Sequence, residues 1–278
     1  MPLNVPQLIT KYSGDIEEFE LSKFTRSLQH SRASTATIAQ ICQELEKLKP
    51  TSTQQIYDYT LKRLIALDRP AAARYNLKHA LLELGPAGFP FEKFIAHILH
   101  FQGYQVQTGV IVAGMCVNHE IDVLATKDGK NYLGECKFHN SLGLKSDVKI
   151  TLYIQARFED IQKATERNKK EGHLFDQPWL ITNTKFTLDA IAYAQCVNMR
   201  LTSWSYPADH SLAHIIDTLK LYPVTTLTTL NFDQKKLLIS NNLILCRDLV
   251  HNQKTLKDLN FSDAHIQEII AEAQAVNA

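Results

Sequence analysis

Asp122, Glu135 and Lys137 are spaced so that a plain β-hairpin would bring their charged groups together. Residues 120–125 (EIDVLA) and 131–137 (NYLGECK) read as short strands, joined through Lys127-Asp128-Gly129-Lys130. Asp-Gly suits a two-residue hairpin turn because both central positions must accept positive φ. That turn sets Asp122 opposite Glu135 and Glu120 opposite Lys137. Alternation then puts these four on one face, with Ile121, Val123, Tyr132 and Cys136 on the other. Facing carboxylates repel, so the arrangement calls for a cation, and a divalent ion that prefers oxygen ligands fits. A nearby lysine suits an anionic substrate. The competing reading is a solvated sheet edge with ordinary ion pairs, which are worth little. Spacing alone does not choose between the two.

The flanking elements narrow the choice. Phe91-Glu92-Lys93-Phe94 opens a helix that runs to Gly103-Tyr104-Gln105-Val106, a turn into a strand. Trp179-Leu180-Ile181-Thr182-Asn183 reads as a further strand, with Phe186-Thr187 and Ala190 leading into a helix. With these flanks, Asp122 and Glu135-x-Lys137 resemble the PD-(D/E)xK nuclease superfamily, and the flanks resemble its Mrr-like restriction endonuclease branch. The resemblance implies an α/β domain, a mixed sheet flanked by helices, that hydrolyses double-stranded DNA with Mg²⁺. It implies that Asp122, Glu135 and the carbonyl of Cys136 hold the metal. Lys137 would orient or help deprotonate the attacking water and stabilise the charged phosphorane. Glu92 would complete the outer shell or hold a second metal; without the family, it is a first-turn acid favoured by the helix dipole. Glu135 stands where many Mrr-like members carry Gln. Lys93, His119 and His139 sit nearby without an assigned role.

Upstream, residues 7–12 and 16–20 read as two strands about Ser13-Gly14-Asp15. Four helices follow: one capped by Ser22, one over 35–48, one after Thr51-Ser52-Thr53, and one over 71–84 beyond the break at Asp68-Arg69-Pro70. Lys11-x-x-Gly14, Glu17-Glu18-Phe19, Lys23, Ser27-Leu28, Thr53-x-x-Ile56, Leu61, Leu64, Asp68 and Arg74-Tyr75 resemble the ATP-cone. That nucleotide-sensing module occurs in ribonucleotide reductases and their transcriptional repressor. The resemblance implies ATP or dATP binding, with Lys11 at the phosphates and Glu17, Lys23 and Thr53 beside the nucleotide. Tyr12 stands where the family usually has Arg, removing one phosphate-facing cation. Read without the family, Lys11 and Lys23 are ordinary surface lysines.

Gly85-Pro86-Ala87-Gly88 punctuates the end of this segment. The expected organisation is a multidomain α+β chain: an ATP-cone of hairpin plus helical bundle over 1–86, the Mrr-like α/β domain over 87–221, and a small all-α domain over 222–278. In the last, Leu230-Asn231-Phe232-Asp233 recurs as Leu259-Asn260-Phe261-Ser262-Asp263. The echo resembles paired helix-hairpin-helix units, with Asn231 and Asn260 at the usual turn glycine and tolerating left-handed φ. A packing or dimerisation domain is the alternative.

Composition bounds the rest. Of 278 residues, 45% are hydrophobic, enough for packed cores. Lys plus Arg number 30 against 29 Asp plus Glu, so no global basic field advertises nucleic acid. The run Lys145, Lys149, Arg157, Lys163, Arg167, Lys169 and Lys170 is interleaved with acids and reads as a solvated helix face. The five cysteines lack CxxC spacing, which argues against a zinc ribbon or disulfide framework and suits a reducing cytoplasm. No apolar run is long enough to span a bilayer, so no membrane partner is expected. The expected activity is a nucleotide-regulated, Mg²⁺-dependent DNA endonuclease, assembled as a homo-oligomer. The alternative is a non-catalytic nucleotide sensor that uses the nuclease fold as a DNA- or protein-binding platform.

Overall fold

The computed structural model describes residues 7–85, 88–168 and 175–278 and has a mixed α/β architecture. It divides into two units: Leu82–Leu221, and Met1–Leu81 together with Tyr222–Ala278. Pro86 and Ala87 of the expected punctuation, and Lys169 and Lys170 of the basic run, lie outside the described residues.

In the central unit, helix α5 (Phe89–Phe101) buries Phe91, Phe94, Ile95, Ile98 and Leu99, a stripe at helical spacing. It packs on a five-stranded sheet of β3 (Gln105–Ala113), β4 (Asn118–Lys127), β5 (Lys130–Lys137), β7 (Gln177–Thr182) and β9 (Arg200–Thr202), side by side in that order. The first three strands are antiparallel, and β5, β7 and β9 run parallel. Parallel neighbours need crossovers. Helix α6 (Val148–Asn168) supplies the first and α7 (Leu188–Cys196) the second, while α8 (Leu212–Leu219) follows β9. A two-residue pair, β6 (Lys145–Ser146) with β8 (Lys185–Phe186), ties the two crossovers together. Ile121, Leu124 and Leu133 of the sheet meet Phe158 and Ile161 of α6 in one buried cluster. Burying each such side chain is worth about 1.5–3 kcal/mol.

The hairpin turn follows the Asp-Gly reading: Asp128 has φ 53° and Gly129 φ 74°. Val123 faces Gly134, Leu124 faces Leu133 and Ala125 faces Tyr132, the expected register. The ladder ends at Val123–Gly134, however, so neither Asp122 and Glu135 nor Glu120 and Lys137 are ladder pairs, and Glu120 faces Ile111 of β3. Gly134 is there because a Cβ would come within 2.6 Å of the Val123 carbonyl oxygen.

The other unit begins with the hairpin β1 (Leu8–Thr10) and β2 (Ile16–Glu18), turned at Gly14 with φ 87°. Helices α1 (Leu21–His30), α2 (Thr35–Leu48), α3 (Thr53–Leu67) and α4 (Arg69–Ala80) follow. Ser22 lies inside α1, whose N-cap is Glu20 without a side-chain hydrogen bond. Ser34, Ser52 and Asp68 cap the next three through their side chains. Asp68-Arg69-Pro70 therefore starts α4, since proline in a first helical turn forfeits no hydrogen bond. Ile9, Phe24, Leu28, Ile41, Leu45, Ile56, Leu64, Ala71 and Ala72 form the core.

The C-terminal segment contributes α9 (Phe232–Ser240), α10 (Cys246–His251), α11 (Gln253–Asp258) and α12 (Asp263–Asn277). The Asn231 side chain caps α9 with φ −79°, so it is not the left-handed turn residue; Asn242 and Asn260 take that conformation at 63° and 64°. Helix α4 packs on α12, and Arg74 donates to the carbonyls of Ala275 at 2.8 Å and Val276 at 3.3 Å. A cation at a helix C-terminus satisfies free carbonyls and the dipole together. This is why segments read as first and last domains share one unit.

Candidate active site

The carboxylates converge where the sheet's regular pairing lapses. Thr108–Val123 and Val110–Ile121 are in register, but Gly109 (φ 63°) and Asp122 between them are not a ladder pair. The Asp122 side chain instead reaches toward β5, where its Oδ2 accepts the Cys136 backbone N–H at 2.7 Å. The carboxylate thus stands in for the strand carbonyl that regular pairing would have supplied. Glu135, one residue back along β5, accepts a hydrogen bond from Arg157 Nη1 of α6 at 2.5 Å. Arg157 Nη2 donates to the Glu120 carbonyl, and its guanidinium lies 5.4 Å from the centre of the Tyr153 ring. Arg157 is buried among the sheet-facing residues of α6, not on the solvated face read from its basic run.

Charge in this pocket is poorly compensated. Burial, then the charges of Asp122 and Glu120, push the Glu92 carboxyl up to about 7. Glu135 is pushed up to about 7 by burial and by Asp122, with Arg157 opposing and Glu92 adding. Asp122 is raised by burial, against the Cys136 N–H and Arg157. The Cys136 thiol is raised by burial and then by all three carboxylates. Glu92 on α5, Asp122 on β4 and Glu135 on β5 therefore sense one another electrostatically. Neighbouring carboxyls pushed up toward neutrality are a recurrent mark of functional sites.

Lys137 ends β5 with Thr182 of β7 as its register partner. Just beyond, Asn183 grips the chain: its Oδ1 accepts the His139 N–H at 2.8 Å and its Nδ2 donates to the His139 carbonyl at 2.7 Å. The amide extends the parallel ladder by one residue and fixes the strand end that carries Lys137. His139 hydrogen-bonds Ser146 at 2.9 Å, and burial followed by the charge of Lys137 lowers its pKa. His119 is used elsewhere, held 2.8 Å from Asp160, which also accepts from Cys116 N at 3.0 Å and so pins the β3–β4 turn to α6. Sequence reasoning missed Arg157 and Asn183. The signal for Arg157 was its place among Ile154, Phe158 and Ile161 on the apolar face of α6; nothing local marked Asn183.

The donor set of Glu92, Asp122, Glu135 and the Cys136 carbonyl is all oxygen, which fits a hard divalent cation in chemistry and charge. Among the described residues, no three His, Cys, Asp or Glu side chains are closed up to ligand distance. Arg157 holds one Glu135 oxygen.

At the N-terminal hairpin, Lys11 and Glu17 meet across the turn at 2.5 Å, and Lys23 pairs with Glu20 at 2.6 Å. The hydrogen bond from Lys11, more than its charge or that of Lys23, lowers the Glu17 pKa. Thr10 N donates to the Thr51 carbonyl at 2.9 Å, which lays β1 beside the start of α3. There the Thr53 hydroxyl is buried without a hydrogen-bond partner. Tyr12 folds inward: its hydroxyl lies 3.1 Å from His79, whose ring stacks on Tyr57 at 3.5 Å. Burial lowers the His79 pKa to about 4.

Three comparisons place the chain among known proteins. The family described as AF1548-like, C-terminal, matches residues 222–277. An uncharacterized protein of Archaeoglobus fulgidus is 40% identical over 185 residues, covering 66% of this chain and 99% of that protein. The crystal structure of a protein of unknown function, AF1548, superposes with a TM-score of 0.57 at 37% identity, covering 68% of this chain and 97% of the other. Identity at that level across nearly the whole of both relatives, with the C-terminal helices matched separately, makes this chain a member of the AF1548-like family.

Proposed function

We propose that the central unit is a divalent-cation-dependent DNA endonuclease of the Mrr-like, restriction-endonuclease-like type. The observation that carries the reading is the convergence of Glu92, Asp122 and Glu135 from three elements on one pocket, with Lys137 ending the same strand as Glu135. Asp122, Glu135 and the Cys136 carbonyl would hold Mg²⁺, and Glu92 would complete the outer shell. A bound Mg²⁺ supplies Lewis acidity and a lowered water pKa. Lys137 orients the attacking water and offsets charge on the phosphate oxygens. Asn183 keeps the Lys137 strand end from swinging away.

The N-terminal hairpin and helices are read as an ATP-cone that binds ATP or dATP through Lys11, Glu17, Lys23 and Thr53. The unsatisfied Thr53 hydroxyl supports the reading, and Lys11 would have to exchange Glu17 for a phosphate. Nucleotide state would set the oligomer or the docking of the Glu92 helix, and so access to the carboxylate pocket. One observation favours the non-catalytic platform: Arg157 already occupies one Glu135 oxygen. The discriminating experiment incubates several DNA forms with the full chain in Mg²⁺, Mn²⁺ or EDTA, with and without ATP or dATP. The nuclease reading predicts cleavage that EDTA abolishes and nucleotide modulates. Intact DNA in every metal condition supports the platform.

A further inference from the structure

Arg157 is a cation built into the pocket proposed to take a cation. Its side chain is only 10% exposed, and it lies on the inner face of α6, one residue before Phe158 and three after Ile154. Both ends of its fork are used, on Glu135 Oε2 and the Glu120 carbonyl, and the Tyr153 ring, more than half exposed, stands beside it. Glu135 is bonded to this guanidinium and Asp122 feels its charge, whereas Glu92 is raised by burial, Asp122 and Glu120. A guanidinium and a divalent ion seek the same feature, a carboxylate oxygen with its neighbouring lone pairs.

We propose that Arg157 is a resident counter-ion that a divalent metal must displace from Glu135, so that the pocket loads by exchanging one cation for another. The inference rests on the metal-dependent reading of the site. The two anchors of Arg157 explain how the exchange proceeds without loss of the side chain. When Glu135 turns to the metal, the guanidinium keeps its bond to the Glu120 carbonyl and its contact with Tyr153. Its other nitrogen is then released from Glu135, and a phosphate of the substrate offers that edge a new oxygen partner. An ordinary structural ion pair in the same place would tie α6 to the sheet and take no notice of metal.

Mn²⁺ binding to the full chain separates these cases. Calorimetric titration of wild type, Arg157→Gln and Arg157→Lys is compared with Asp122→Asn combined with Arg157→Gln. Removing a full positive charge beside the ion should tighten Mn²⁺ binding by at least about tenfold at one site, and Arg157→Lys should fall between. The double variant should lose the site. Equal or weaker binding by folded Arg157→Gln, with wild type still binding one Mn²⁺, overturns the exchange and leaves the nuclease reading standing. No Mn²⁺ bound by any variant overturns both. If Arg157→Gln does not fold, Mg²⁺ is titrated into wild type labelled with ¹⁵N-arginine, with the Arg157 signal identified by its loss in Arg157→Lys. A shift of that signal in step with Mg²⁺ supports the exchange; an unmoved signal overturns it.

Discussion

Replacing Asp122 with Asn removes one charge from the carboxylate pocket but keeps an oxygen able to accept the Cys136 N–H. In the metal-free protein this should stabilise the fold at high pH and not at low pH. The Glu135 carboxyl is raised from 4.5 to about 7. A carboxyl whose folded pKa lies above its unfolded value holds its proton more tightly in the native state. The contribution of Glu135 to stability is therefore full below 4.5 and falls as pH climbs through 7. The whole shift corresponds to about 3 kcal/mol at 1.36 kcal/mol per pH unit. Burial is its largest cause and Asp122 the second, so removing the Asp122 charge returns a minority share, about 1 kcal/mol. Relief of Glu92, which is more exposed and better screened, adds less. For a domain of this size that is a rise of about 2–4 °C in Tm. Scanning calorimetry in EDTA from pH 5 to 9 should show Asp122→Asn near wild type at pH 5 and above it at pH 8. A difference from wild type that does not grow with pH would refute the reasoning.

Other perturbations probe the scaffold and the hairpin. Gly134→Ala should cost about 1–3 kcal/mol in urea unfolding, because the new methyl meets the Val123 carbonyl and neither strand can withdraw without breaking its ladder. Asn183→Ala leaves the His139 N–H without its side-chain acceptor and should cost about 1–3 kcal/mol by the same assay. Millimolar ATP or dATP should raise the Tm of the full chain, since it binds only the folded state, and Lys11→Ala should shrink that rise. No thermal shift with either nucleotide would remove the sensing role and point to Tyr12 as its cause.

The parts legible in sequence were those governed by short-range chemistry. Asp128-Gly129 fixed the hairpin register because few turns accept positive φ twice, and the stripe from Phe91 to Leu99 announced α5 by period alone. Strand β7, which lies between β5 and β9, and the helix α7 after it followed from the apolar run Trp179–Thr182 and from the Phe186-Thr187 that leads into a helix. What failed depended on distant partners. Arg157 sits in a run of lysines and acids that looks solvated until α6 is laid on the sheet. Arg74 matched one resemblance while its hydrogen bonds run to helix carbonyls some 200 positions away. The lapse in pairing at Asp122 lies opposite Gly109 on another strand, which no local pattern around Asp122 reveals. Asn231 caps α9 and the left-handed turn falls to Asn242, because a capping box and a left-handed turn favour the same residue type.

The central claim is that one carboxylate pocket hydrolyses DNA. Its most direct test is single-turnover cleavage of end-labelled duplex DNA in Mn²⁺ by wild type and by the Asp122→Ala, Glu135→Ala double variant, with circular dichroism confirming that both are folded. The account predicts cutting by wild type and none by the double variant. Equal cutting by the two proteins would contradict it and put the active site elsewhere.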